Sequence, residues 1–144
     1  MLPSTESSPP AEAAPGSPAA KCIALAGAKR ERRPSEPEKI SVKHVLIKYA
    51  GAERADSDVT RTRATACMLA LEARDTLRSG ADIGEVVKQF SEEPGAATRE
   101  GLVAGVGRGD VIAPFADAAF ELDLNQLSDV VETPYGFHVI LRTE

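Results

Sequence analysis

Only two histidines occur in the chain, His44 and His138, and each lies within a run of apolar, β-prone residues. The stretch Val130 to Glu144 reads as the end of one strand, a turn at Pro134–Gly136, and a second strand with His138 among Phe137, Val139, Ile140 and Leu141. The run Ile40 to Tyr49 reads as another strand. Alternation there places His44 on one face with Ile40, Val42, Leu46 and Lys48. A histidine in such a setting is either a satisfied core residue or part of a site. If the two strands pair, the imidazoles can face each other.

The elements that would hold these strands follow from caps and periodicity. Thr60 or Thr62 can cap a helix running to about Ser79, with Ala66, Leu69, Ala70, Ala73 and Leu77 as its apolar stripe. Asp82 opens a short second helix, with Glu85 at the capping-box position and Ile83, Val86, Val87 and Phe90 facing inward. Residues 91–108 are irregular and glycine-rich, which suggests a strand that is bulged or closely approached by another backbone. They lack the order of a phosphate-cradling loop. Pro114 starts a third helix bearing Phe115, Ala118, Ala119 and Phe120. Leu122–Ser128 is a turn into a strand at 128–132, and the last strand is 137–142. The order β-α-α-β-α-β-β predicts an α+β fold: a four-stranded, largely antiparallel sheet covered by helices.

Composition narrows the classes of function. The net charge is −5, and the acidic excess lies in residues 40–144, so broad nucleic-acid binding is not expected. No apolar run reaches the length of a membrane span, and no secretory signal is visible, which points to the cytoplasm. Residues 1–39, rich in Pro, Ser and Ala, read as a disordered tail ahead of a domain at 40–144. Cys22–Ala28 is the tail's one apolar patch, and Lys29–Arg33 reads as a solvated basic linker. With Cys22 in the tail and Cys67 in a helix, no structural disulfide is expected, and no spacing suggests zinc. Arg-Gly-Asp at 108–110 reads as a chance match.

Five segments in order resemble the parvulin-type peptidyl-prolyl cis/trans isomerases. They are Lys43-His44-Val45-Leu46-Ile47-Lys48, Phe90-Ser91-Glu92-Glu93-Pro94-Gly95, Gly107-Arg108-Gly109, Pro114 to Leu122, and Thr133-Pro134-Tyr135-Gly136-Phe137-His138-Val139-Ile140. The resemblance implies catalysed rotation about X-Pro bonds, whose uncatalysed barrier is about 20 kcal/mol. It implies proline-containing polypeptides as partners, a monomer, and no cofactor. It also implies a His44–His138 pair beneath the site with Thr133 nearby, and Glu93 at a position usually held by Asp or Cys. Phe115 would line the proline pocket, with Val111 and Val103 as further walls and Tyr135 beside the substrate. Lys48 and Arg54 stand at two places of the basic triad that holds phosphate in phosphorylation-directed relatives. Glu53 stands at the third, which implies tolerance of an acidic residue before proline and no requirement for one.

Each assignment has a plainer alternative. The histidine pair could order the core, or join Glu93 as metal ligands, and Glu93 could be a solvated charge. Residues 101–106, Gly-Leu-Val-Ala-Gly-Val, lack the acidic residue and both aromatics common in the family, and Val111 replaces a usual Met or Leu. The pocket is therefore expected to be shallower. A peptide-binding or chaperone module with weakened catalysis is the alternative function.

Overall fold

The sheet is built outward from Ile40–Ile47 (β1). In the computed structural model, which describes residues 14–144, β1 pairs antiparallel with Leu102–Val106 (β2) on one side and Gly136–Arg142 (β4) on the other. Val131–Thr133 (β3) forms a hairpin with β4, and the strand order is β2-β1-β4-β3. Being central, β1 and β4 are buried on both faces, and they read as near-continuous apolar runs. The third strand starts later than the sequence predicts. Residues 128–130 run beside β4: the Ser128 amide donates to the Ile140 carbonyl at 2.7 Å, but the Ile140 amide is taken by the Ser128 hydroxyl at 2.9 Å.

Helices cover both faces. Arg63–Arg78 (α2) is capped by Thr62, whose hydroxyl accepts from the Thr65 amide. Ile83–Phe90 (α3) is capped by Asp82, which accepts from the Glu85 amide. These helices close over Val45, Ile47, Phe137 and Val139, and the small residues Ala66, Ala70 and Ala73 let α2 lie close to the sheet. The opposite face carries Ile40, Val42 and Ile140, covered by Ala113–Phe120 (α5) with Phe115 and Phe120. Two short elements were not foreseen: the single turn Ala96–Arg99 (α4) and a 3-10 turn at Arg108–Asp110. No helix among the described residues is long and apolar enough to cross a membrane.

The N-terminal segment departs from the expectation of a disordered tail up to residue 39. Pro18–Ala26 (α1) is a helix capped by Ser17, with Ala19, Cys22 and Ala26 buried against α2. Contrary to the sequence reading, Cys22 and Cys67 form a disulfide that joins α1 to α2. The helix is too short to be stable alone, so this packing and the covalent tie are what hold it. Nor is the basic stretch after α1 simply solvated. Arg30 pairs with Glu121 at 3.2 Å and Arg33 with Asp123 at 2.8 Å. Farther on, Glu36 receives both arms of Arg108, at 2.8 and 2.6 Å. Arg108 of the Arg-Gly-Asp triplet is thereby spent inside the molecule. Residues 1–13 of the expected tail lie outside the described residues.

Candidate active site

The register explains how two distant histidines meet. His44 stands opposite Ile140 and Leu46 opposite His138, so the histidines are diagonal neighbours on one face of the sheet. Long side chains can bridge that diagonal. The rings stack with centroids 5.3 Å apart and planes 25° from parallel, and both are buried. Phe115, presented by α5, meets each ring edge-on at 5.1 and 5.3 Å.

A hydrogen-bonded row runs through the pair. The Tyr135 amide donates to Thr133 Oγ1 at 3.1 Å, and Thr133 Oγ1 lies 2.8 Å from His138 Nε2. His138 Nδ1 is 3.2 Å from His44 Nδ1, and His44 Nε2 is 3.2 Å from Glu93 Oε2. The second Glu93 oxygen is bound by Arg99. With both rings uncharged, only one arrangement of protons satisfies every contact. The Glu93 carboxylate can only accept, so His44 carries its proton on Nε2 and accepts at Nδ1. His138 therefore donates from Nδ1, and its Nε2 accepts from the Thr133 hydroxyl. All donors in the row then point toward Glu93.

Charge in the row is set by burial and contact. Burial, reinforced by the neighbouring His44, pushes His138 well below the usual imidazole range. The hydrogen bond from His44 holds the Glu93 carboxyl below the usual carboxylate range; burial opposes this, and Arg99 adds to it. A stability prediction follows from His138. Unfolded, it takes up a proton as the pH drops through about 6.5, while the folded protein resists. Its contribution is therefore complete above that pH and falls below it, by up to about 1.4 kcal/mol per pH unit, until the folded-state ring also protonates. Urea midpoints measured from pH 7.5 to 5 should show this slope, and His138→Gln should flatten it. An equal slope in both proteins would contradict the assignment.

Above the row lie two adjoining cavities that share Glu93, Tyr135 and His138. One, of about 280 Å³, is walled by Val103, Val111, Ile112 and Phe115 with His44 beneath. The other, of about 360 Å³, is bounded by Leu46, Lys48, Arg54, Asp56 and Pro94. Nine of the ten residues singled out from the sequence thus border these cavities, and the tenth, Thr133, is buried behind His138 and bonded to it. Lys48 and Arg54, however, do not form an open cationic fork. Lys48 is buried, and its ammonium donates to the Arg54 carbonyl at 3.1 Å, while the Arg54 guanidinium lies 5.8 Å over the Tyr135 ring. Arg54 holds a left-handed backbone at φ 60. Glu53 does not border either cavity; its amide ties the loop to the Pro134 carbonyl at 2.9 Å. Among the described residues, no group of three or more His, Cys, Asp or Glu side chains converges to hold a metal ion.

Sequence reasoning missed Ile112, Asp56, Pro94 and Arg99. The first could have been suspected from its place beside Val111, and Asp56 from its loop. Nothing in the linear spacing pairs Arg99 with Glu93.

Comparison with known proteins agrees with this geometry. The chain is 35% identical over 111 residues to a Drosophila melanogaster protein named as the peptidyl-prolyl cis-trans isomerase dodo, covering 74% of this chain and 66% of that one. It is 31% identical over 106 residues to the foldase protein PrsA 4 of Bacillus cereus, covering 74% and 32% respectively. Among solved structures, the peptidyl-prolyl isomerase ESS1 from Candida albicans superposes with a TM-score of 0.70 at 26% identity, over 76% of this chain and 65% of that one. The chain thus spans two thirds or less of the length of these relatives. The profile of the PPIC-type PPIASE domain matches residues 27–144, which takes in the whole sheet, its covering helices and the histidine row. By that match the chain belongs to the PPIC-type PPIASE domain family, the parvulins.

Proposed function

We propose that this protein is a peptidyl-prolyl cis/trans isomerase that rotates X-Pro bonds in proline-containing polypeptides. The observation that carries this reading is the hydrogen-bonded Thr133–His138–His44–Glu93 row lying under a cavity walled by Phe115, Val111 and Val103. Rotation requires the amide to lose its resonance at the twisted transition state. The planar amide is the more dipolar form. An apolar wall that grips the pyrrolidine ring and excludes water favours the twisted form over the planar one. The row beneath is rigid because each member is fixed by the next, so it presents a preorganised surface that costs no rearrangement during rotation. Nothing covalent is required of it.

In the second cavity Arg54 offers a cation near the residue before proline, but Asp56 and Glu93 offset it, and the Lys48 ammonium is already bound. This supports tolerance of an acidic residue there and no strict requirement. The acidic surface supports a protein acting apart from nucleic acid, and we take it to act as a monomer. The buried disulfide favours an oxidising compartment over the cytoplasm expected from the sequence.

Exchange spectroscopy on two proline peptides, one with Glu and one with Leu before proline, tests the proposal. Acceleration of both, by similar factors, is expected. Phe115→Ala and His138→Ala should each lower kcat/KM by about tenfold or more, since each removes a wall or the floor of the site. Full activity in both variants would overturn the site assignment. The second reading, a peptide-binding module, is favoured by the exposed, aromatic-free β2. Peptide binding without acceleration would select it.

A further inference from the structure

Glu93 occupies a position where the resemblance implies a shorter acid or a thiol, and its extra methylene adds a rotor between backbone and carboxylate. A side chain with that freedom, a quarter exposed, would ordinarily divide its time between His44 and water. Here it does not stand alone. Its two oxygens are divided between two partners: Oε2 faces His44 Nε2, and Oε1 receives Arg99 Nη2. Arg99 also donates through Nη1 to the Pro94 carbonyl at 3.3 Å, so one guanidinium grips both the acid and the backbone of the turn that carries it.

The local chain is shaped to deliver that guanidinium. The single turn α4 is bracketed by left-handed residues, Gly95 at φ 76, Glu100 at φ 56 and Gly101 at φ 74. The Ala96 amide bonds back to the Glu93 carbonyl at 3.1 Å, and the Gly101 amide to the Ala96 carbonyl at 2.9 Å. Gly101 in turn accepts from the His44 amide at 3.1 Å. The loop that holds Arg99 and Glu93 is therefore anchored to the backbone of the histidine that Glu93 contacts.

We propose that Arg99 is a positioning residue of the site: by holding the far oxygen of Glu93, it fixes the near oxygen on His44 and so fixes the direction of the proton row. The proposal rests on the isomerase reading given above. It accounts for how a glutamate serves here, because a planar two-armed cation restricts the extra rotor in a way that solvent cannot. The pair is partly exposed, so its effect on global stability is small, and its consequence falls on geometry and protonation.

The test follows kcat and KM across pH 4–8 by exchange spectroscopy on a proline peptide, using the full chain and its Arg99→Gln, Arg99→Lys and Glu93→Gln variants. The groups around Glu93 fix the sign. His44 and Arg99 touch it, and Lys48, Arg54, Asp56, Tyr135 and His138 face it across the cavity. The ionised acid is the working form, and Arg99 favours it. Arg99→Gln should therefore move the acid limb of kcat to higher pH by about 0.5, a threefold change in proton affinity, and lower kcat at pH 7 about three- to tenfold. KM should stay within about twofold. Arg99→Lys, which keeps the charge, should restore the limb but only part of kcat. If Glu93→Gln alters the profile while Arg99→Gln superposes on the parent, the proposal is overturned and the site reading stands. If neither variant changes the profile, Glu93 has no role and the proposal is overturned, while the site reading is decided separately by Phe115→Ala and His138→Ala.

Discussion

Reducing the Cys22–Cys67 bond is expected to lower the melting temperature by about 10 °C, the largest stability change available from one chemical step. The cross-link closes a loop with a sequence separation of 45. Chain-entropy reasoning assigns such a closure about 4 kcal/mol, and each kcal/mol moves the midpoint of a domain of this size by a few degrees. Both sulfurs are buried between α1 and α2, so the thiols left by reduction gain no compensating solvation. A matched scan of the Cys22→Ser variant, with and without reductant, separates the cross-link from general effects of the reagent. A reduced protein that melts within about 2 °C of the oxidised one would show that α1 contributes little to the cooperative unit.

Gly101→Ala should severely damage the site. A methyl there would stand 2.3 Å from the His44 carbonyl oxygen and 3.0 Å from its amide nitrogen. Both neighbours are backbone atoms of a central strand, so neither can yield without moving β1. The residue also holds φ +74, which costs a non-glycine residue about 1–2 kcal/mol before any clash. Adding a displaced His44–Gly101 hydrogen bond, the loss should be roughly 3 kcal/mol or more in urea unfolding. Turnover should fall by about a hundredfold, because the displaced residue carries the imidazole. Gly80→Ala is the control. Its φ is +107, but nothing stands within 4 Å of an added methyl, so only the conformational cost applies. Comparable losses in the two variants would show that the close approach to His44 is not what makes Gly101 necessary.

The sheet and most helices were legible because burial leaves a period in the sequence. Central strands β1 and β4 showed as apolar runs, and α2 and α3 announced themselves through Thr62 and Asp82 followed by regular apolar spacing. The cleft was legible through resemblance, motif by motif. What escaped was held by contacts between distant residues. A nine-residue helix with the composition of a tail, α1, exists because Cys67 and the alanines of α2 receive it. The pairing of two cysteines obeys no local rule. Likewise α4 is too short for any period and is defined by left-handed residues on each side, so Arg99 gave no sign of its partner. The diagonal placement of the histidines was also hidden, since alternation gives a face but not a register.

The central position of β1 has a consequence for the chain as it is made. His44 and His138 are 94 residues apart, and the strands that carry them are neighbours in the middle of the sheet. A ribosome adding about 5–20 residues per second needs roughly 5–20 s to travel between them. Through that interval β1 is synthesised with an unfilled edge and its apolar faces incompletely covered, which is when a nascent chain is most exposed to wrong pairing. The partner for that edge arrives last. Neither the centre of the sheet nor the cleft can therefore form before β4 has been made and has entered between β1 and β3.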